Sequence, residues 1–189
     1  MGSWVVYGLG SENQNLPGFV TIKPALAHGG AKNWSSAFLP AAYQGTASAN
    51  AGVKLEDLKE PIEYLTNKGL TVEQQRYELD MLQKVNRQHA AMRENDGELE
   101  ARIQAFELAF RMQAEAPEAF DTGRESDATK KLYGLDDPDT KDFGGQCLLA
   151  RRLIERGVRF VQCSHSYKWD QHSELVRLHT HNAREVDKP

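Results

Sequence analysis

One short stretch of the 189-residue chain gathers side chains able to do chemistry: Ser164-His165-Ser166-Tyr167-Lys168-Trp169-Asp170-Gln171-His172. Asp170 and His172 stand two apart, and His165 adds a second imidazole. Carboxylate oxygen and neutral imidazole nitrogen are donors for Zn²⁺ and other divalent metals, so Asp170, His172 and His165 are the candidate metal ligands. Trp169 would wall such a site and limit the access of water. Asp-x-His is a short pattern that recurs by chance. The competing reading has Asp170 capping a helix that starts near Gln171, with His165 and His172 on the surface. His179 and His181 form a His-x-His pair. Residues two apart on a helix do not share a face, so these two are read as solvated. No nucleophile signature is present: the sequence has no Gly-x-Ser-x-Gly elbow, no phosphate-cradling Gly-x-x-x-x-Gly-Lys loop and no Cys-x-x-Cys. Gly8-Leu9-Gly10 lacks the third glycine of a dinucleotide fingerprint.

The elements that must position this stretch are predicted from periodicity. Phe143, Cys147, Ala150 and Ile154 fall on one helical face, widened by Leu149 and Leu153. Arg151, Arg152, Glu155 and Arg156 are expected to cover the other side or cap the end. Gly157 stands where a left-handed residue ends a helix, and the run 158–163 then reads as a buried strand. Helix, glycine and strand make an α/β unit with a mostly parallel sheet. Its chemistry-bearing residues leave the carboxyl end of the strand, where open α/β sheets bind ligands.

A second strand is predicted over 18–22, and no third is convincing, although a parallel sheet needs more than two. The apolar segment around Trp4–Tyr7 is too short for periodicity to separate helix from strand. Residues 1–23 are thus an apolar segment and a strand, and 24–70 an irregular loop whose Trp34, Phe38 and Tyr43 should pack it down. A helical hairpin is expected over 71–120. Tyr77, Met81, Val85, His89 and Met92 would form the apolar face of its first helix, and Leu99, Ile103, Phe106 and Phe110 that of the second. Asp96 would cap the second helix, and Pro117 would end or break it. Residues 139–189 hold the helix–strand unit and the candidate metal loop. His89 is read as a structural histidine. Cys147 and Cys163 are read as small buried hydrophobes, with a bridge between them left open.

Composition narrows the function classes. Lys and Arg total 23 against 27 Asp and Glu, for a formal charge of −4, so a nucleic-acid partner is not expected. No apolar run approaches the roughly 20 residues of a membrane span. Two cysteines do not make a disulfide scaffold. The chain opens inside an apolar segment without a signal-peptide pattern and closes in a polar, helix-compatible stretch. Both ends lead us to expect a piece cut from something longer.

Five strings, taken together, carry a resemblance: residues 1–20 (MGSWVVYGLGSENQNLPGFV), 33–46 (NWSSAFLPAAYQGT), 98–113 (ELEARIQAFELAFRMQ), 146–162 (QCLLARRLIERGVRFVQ) and Trp169-Asp170-x-His172. The chain resembles domain-of-unknown-function family 1501 (DUF1501), whose members are often placed with the alkaline phosphatase/sulfatase-like superfamily. The resemblance implies a partial three-layer α/β/α fold with an incomplete, mostly parallel sheet and a helical-hairpin insertion. It also implies longer, exported or periplasmic proteins with a twin-arginine signal, and a nucleophile and further metal ligands outside these 189 residues. Asp170 and His172 would then be one metal's share of the site, whereas His165 lies outside the family motif and rests on the residue reading alone. The implied cofactor is a divalent metal of the Zn or Ca/Mg class. The implied substrate is a sulfated or phosphorylated small molecule or polysaccharide, and the isolated piece should be inactive. The alternative is an exported binding or surface-associated protein that keeps the fold without the chemistry.

Overall fold

Phe19-Val20-Thr21-Ile22 is β-branched and aromatic, and it forms the central strand of a sheet. In a computed structural model, which describes residues 1–27, 29–49, 62, 64–93, 96–165 and 168–189, strand β1 (Phe19–Ile22) is buried at every position. Strands β2 (Thr46–Ser48) and β3 (Phe160–Cys163) flank it in the order β2-β1-β3. Both pairings are parallel, with Val20 opposite Thr46 and Val161, and Ile22 opposite Ser48 and Cys163. The mixed α/β architecture with a parallel, unclosed sheet agrees with the expected fold class. The expectation of only two strands is corrected: Thr46-Ala47-Ser48 is a third. It was illegible because three small residues give no alternation to read.

The short segment at the start of the chain is helical, α1 (Gly2–Leu9), and it ends at Gly10 in a positive-φ conformation. It covers the Phe19 face of the sheet. A Cβ at Gly2 would stand 2.6 Å from the Phe19 ring, so only glycine permits this approach. Phe19 also meets Phe160 edge-on at 5.4 Å. Within 24–70, short 3₁₀ turns at Gly30–Trp34 and Ala41–Tyr43 replace a structureless loop. Phe38 and Tyr43 do tie it down, against Trp4 at 5.1 Å and Tyr7 at 5.2 Å. Residues 50–61, with Gly52 and Pro61, lie outside the described residues.

The opposite face is covered by α5 (Lys141–Glu155) and by the C-terminal half of α3 (Gly97–Phe120). Val20 and Ile22 share one core with Leu149, Leu153, Met112, Ala116 and Ala119. At Gly144 a Cβ would stand 1.9 Å from the Tyr133 carbonyl oxygen, so glycine lets the turn after α4 (Asp127–Leu132) press against α5. Gly157 is left-handed, as expected, and Val158 N–H returns to Leu153 O at 3.0 Å. Cys147 and Cys163 are free thiols and only half-buried.

Three helix faces differ from expectation. On α5 the buried set is centred on Leu148, Leu149, Arg152 and Leu153, whereas Ile154 is exposed. On α3 the core is reached through Ala101, Met112, Ala116 and Ala119, while Phe106 is exposed. On α2 (Val72–Ala91) Tyr77, Met81 and Val85 of the predicted core stripe face solvent, as does Met92 just beyond the helix, while His89 is half-buried and Leu79 and Gln83 are buried instead. The antiparallel α2–α3 seam is polar. Gln113 donates to Gln75, Arg76 pairs with both oxygens of Glu107 at 3.0 Å, and Gln83 donates to the Ile103 carbonyl at 2.9 Å. Among the described residues no helix is long and apolar enough to cross a membrane.

Pro117 neither ends nor breaks α3, which runs on to Phe120, and Asp96 caps its start by accepting from Leu99 N–H. The turn beyond the proline is held from outside. Arg152, expected on the outer side of its helix, is buried and donates to the carbonyls of Glu118 (2.8 Å) and Ala119 (3.2 Å) and to Glu125 (2.5 Å). Both belong to the last turn, whose carbonyls lack the usual helical partners, although Glu118 O also accepts from Asp121 N–H at 3.3 Å. Arg152→Ala would take away the Ala119 carbonyl's side-chain partner and one of the two arginines on Glu125, which keeps Arg151 at 2.6 Å, and is expected to cost about 2 kcal/mol in urea unfolding. Arg152→Lys should recover only a minor part of that loss, because an ammonium cannot reproduce the planar fork.

Candidate functional site

All three parallel strands point their carboxyl ends to one side, so the loops leaving them share an edge of the sheet. β1 and β2 leave it through residues with positive φ, Lys23 (50°) and Ala49 (59°). Lys23 N–H donates to Ser48 O at 2.9 Å, which joins the two exits. The Lys23 side chain is 7% exposed, and its ammonium reaches both oxygens of Asp142 at 2.7 and 2.8 Å. Asp142 lies in the first turn of α5, where a carboxylate also suits the positive helix end.

The exit of β3 is fixed by the same helix. Ser164 N–H donates to the Gln146 side-chain oxygen at 3.1 Å, and Cys163 Sγ lies 3.6 Å from the Gln146 carbonyl. Gln146 is itself buried. The next residue, His165, lays its ring edge-on against Phe143 at 5.4 Å. Trp169 Nε1–H donates to His165 Nδ1 at 3.0 Å, and His165 Nε2 lies 2.7 Å from Glu185 Oε2. An indole can only donate, so Nδ1 accepts, and Nε2 carries the proton that goes to Glu185. Both ring nitrogens of His165 are therefore engaged.

Glu185 lies on α6 (Leu175–Asp187) and gathers the loop. Lys168 reaches both its oxygens, at 2.9 and 2.7 Å, and His181 approaches at 3.5 Å. Burial pushes the Glu185 carboxyl up, but hydrogen bonds and charge from Lys168 and His165 outweigh it and hold the group below the usual glutamate value. Asn182 donates to the Lys168 carbonyl at 2.6 Å, so α6 holds backbone as well as side chain. Trp169 packs edge-on against His179 at 5.5 Å.

Asp170 and His172 project beyond this anchor. Asp170 Oδ2 and His172 Nε2 are 3.3 Å apart, with side chains 74% and 88% exposed. The structure thus brings Asp170 and His172 together, while His165 serves the anchor below them. Asp170 does not cap a helix, since α6 starts at Leu175 behind Glu174. Among the described residues no three His, Cys, Asp or Glu side chains are gathered as a metal set. Ser166 and Tyr167, which belong to the same stretch, lie outside the described residues.

A family model described as "Protein of unknown function (DUF1501)" matches residues 1–189. The chain belongs to this family. No curated protein and no solved structure gives a significant match. In this DUF1501 chain the residues missed by sequence reasoning are Lys23, Asp142, Gln146, Lys168 and Glu185. Each acts on a partner 17 or more positions away, apart from the hold of Glu185 on its own helix neighbour His181. The one local signal was the buried-strand pattern that ends at Lys23.

The anchor has a signed pH dependence. Because the folded-state value of Glu185 is lowered, its contribution is fully present above the unfolded glutamate range and is lost as pH falls through the folded value. Glu185→Gln is expected to cost about 1–2 kcal/mol at pH 7. That difference from the wild type should shrink once the pH is well below about 4.3. Urea midpoints at a series of pH values check both statements, and a pH-independent difference would rule out the charge of Glu185 as the source.

Proposed function

We propose that the protein acts in metal-dependent hydrolysis of sulfate or phosphate esters, with Asp170 and His172 as two of the metal's ligands. The observation that carries this reading is the 3.3 Å Asp170–His172 pair on the loop that leaves the carboxyl end of a parallel strand. One carboxylate and one neutral imidazole suit Zn²⁺ best, and the carboxylate alone suits the Ca²⁺/Mg²⁺ class. A bound metal would polarise the ester oxygen and activate the attacking group. This chain's own part is to hold the pair in place. His165, Lys168 and Trp169 fix the loop on Glu185, and Gln146 fixes where it begins. His165 fits the ligand set only if Trp169 or Glu185 gives up its hydrogen bond, so it is assigned to positioning.

The remaining ligands and the nucleophile are assigned outside the 189 residues. The substrate would be a sulfated or phosphorylated small molecule or polysaccharide, met by an exported or periplasmic protein. The second reading, an exported binding or surface-associated protein without chemistry, is favoured by the engagement of both His165 nitrogens. A loop built only to be held would look the same.

Metal analysis separates the two. In the protein at its natural length, Asp170→Ala and His172→Ala should each lower bound metal at least about tenfold, a loss of one ligand's worth of affinity. Both should abolish hydrolysis of 4-nitrophenyl sulfate or phosphate. Unchanged metal content in both variants would remove the metal role of these residues.

A further inference from the structure

Along α2 the helical hairpin is built inside out. The side turned to α3 buries Gln83, whose Oε1 has no hydrogen-bond partner among the described residues, and the only buried apolar residue on α2 is Leu79. The outer side carries the apolar stripe. Tyr77 is 68% exposed, Met81 52%, Val85 59% and Met92 77%. These four recur at helical spacing with Gln74 and Gln88 between or beside them, so they form one seam about 30 Å long.

The charges beside the seam are self-complementary in one orientation only. Glu73 and Lys84 lie on one side of it, and Glu78 and His89 on the other. Two copies packed in parallel would set Glu73 beside Glu78, acid on acid. Two copies packed antiparallel about a two-fold axis at Met81 set Glu73 and Lys84 of opposite copies on the same side of the seam, about 7.5 Å apart along it and within reach of two long side chains. That axis also sets Met81 on itself, Tyr77 on Val85, Gln74 on Gln88 and Leu70 on Met92. A hollow of about 320 Å³ lined by Leu70, Glu73, Gln74, Tyr77 and Glu78 lies at the N-terminal end of the seam. It is where the exposed Met92 of the second copy would arrive.

We infer that the α2 face is an isologous, antiparallel dimer interface whose occupant is a second copy of this chain. A two-fold interface must match itself, and this seam does so in shape and charge. A single 20-residue helix offers an interface at or below about 1,200 Å² in total, so the dimer is weak and depends on concentration. The assignment is independent of the chemistry at Asp170 and His172.

Sedimentation velocity over a concentration series tests it, with circular dichroism confirming that each variant folds. The wild type should shift from monomer to dimer in the micromolar to hundred-micromolar range. Met81→Glu places two carboxylates at the two-fold axis, and Lys84→Glu sets acid beside Glu73 of the other copy. Each should raise the dissociation constant at least about tenfold. The double variant Glu73→Lys/Lys84→Glu restores the opposite charges and should return the constant to near the wild-type value. A chain that stays monomeric throughout, a dimer indifferent to both single changes, or a double variant that fails to recover each overturns the proposal. A monomer with the seam intact would leave it to a different partner.

Discussion

A buried guanidinium holds this structure together. Arg152 takes carbonyls at the end of α3, pairs with Glu125 and sits in the last turn of α5. Through it, α3 and α5 become one surface, and that surface covers the Val20 and Ile22 side of the sheet. A charge out of water is costly unless every donor is used. Here three of its nitrogens are, and the geometry is fixed accordingly. This explains why α3 survives a proline in its last turn. Pro117 removes a helix hydrogen bond, but the turn after it is held by a side chain from another element in addition to its own backbone bonds.

α5 is also what delivers the candidate site. Asp142, Phe143 and Gln146 lie within its first two turns, and they contact Lys23, His165 and Ser164 in that order. The N-terminal end of one helix thus fixes the exits of β1 and β3, and Lys23 links β1 to β2. The functional edge and the core are therefore coupled. A change that rotates α5 about its axis, such as a side chain at Gly144, would move all three contacts at once.

What the sequence disclosed follows the range of the interactions. β1, the α5–Gly157–β3 unit, the Asp96 cap and the existence of two long helices were legible, because each is written in neighbouring residues. The directions of the helix faces were not. Periodicity finds an apolar stripe on α2, but it cannot say whether Gln83 or Met81 meets α3. Here two glutamines and an Arg–Glu pair win the inside position. β2 was lost for want of any alternation. At the site, the pairing of Asp170 with His172 was legible from spacing. The anchor was not, since Glu185 looks like any solvated helix residue until the fold brings His165 to it across 20 positions.

The separation of anchor from reach bears on the chemistry. A loop that carries two solvent-facing donors loses entropy if a ligand must order it. Here the cost of ordering falls within folding: Trp169, His165, Lys168 and Asn182 hold the segment just before the donors, up to Trp169, the residue next to Asp170. Asp170 and His172 keep their exposure and yet start from a fixed base. Such an arrangement favours binding by pre-organisation rather than by induced ordering. It also sets a direction for loss under the proposed metal role: weakening Glu185 would loosen Asp170 and His172 without removing them, so affinity for a metal would fall while the choice of metal, set by the donor atoms, would stay the same.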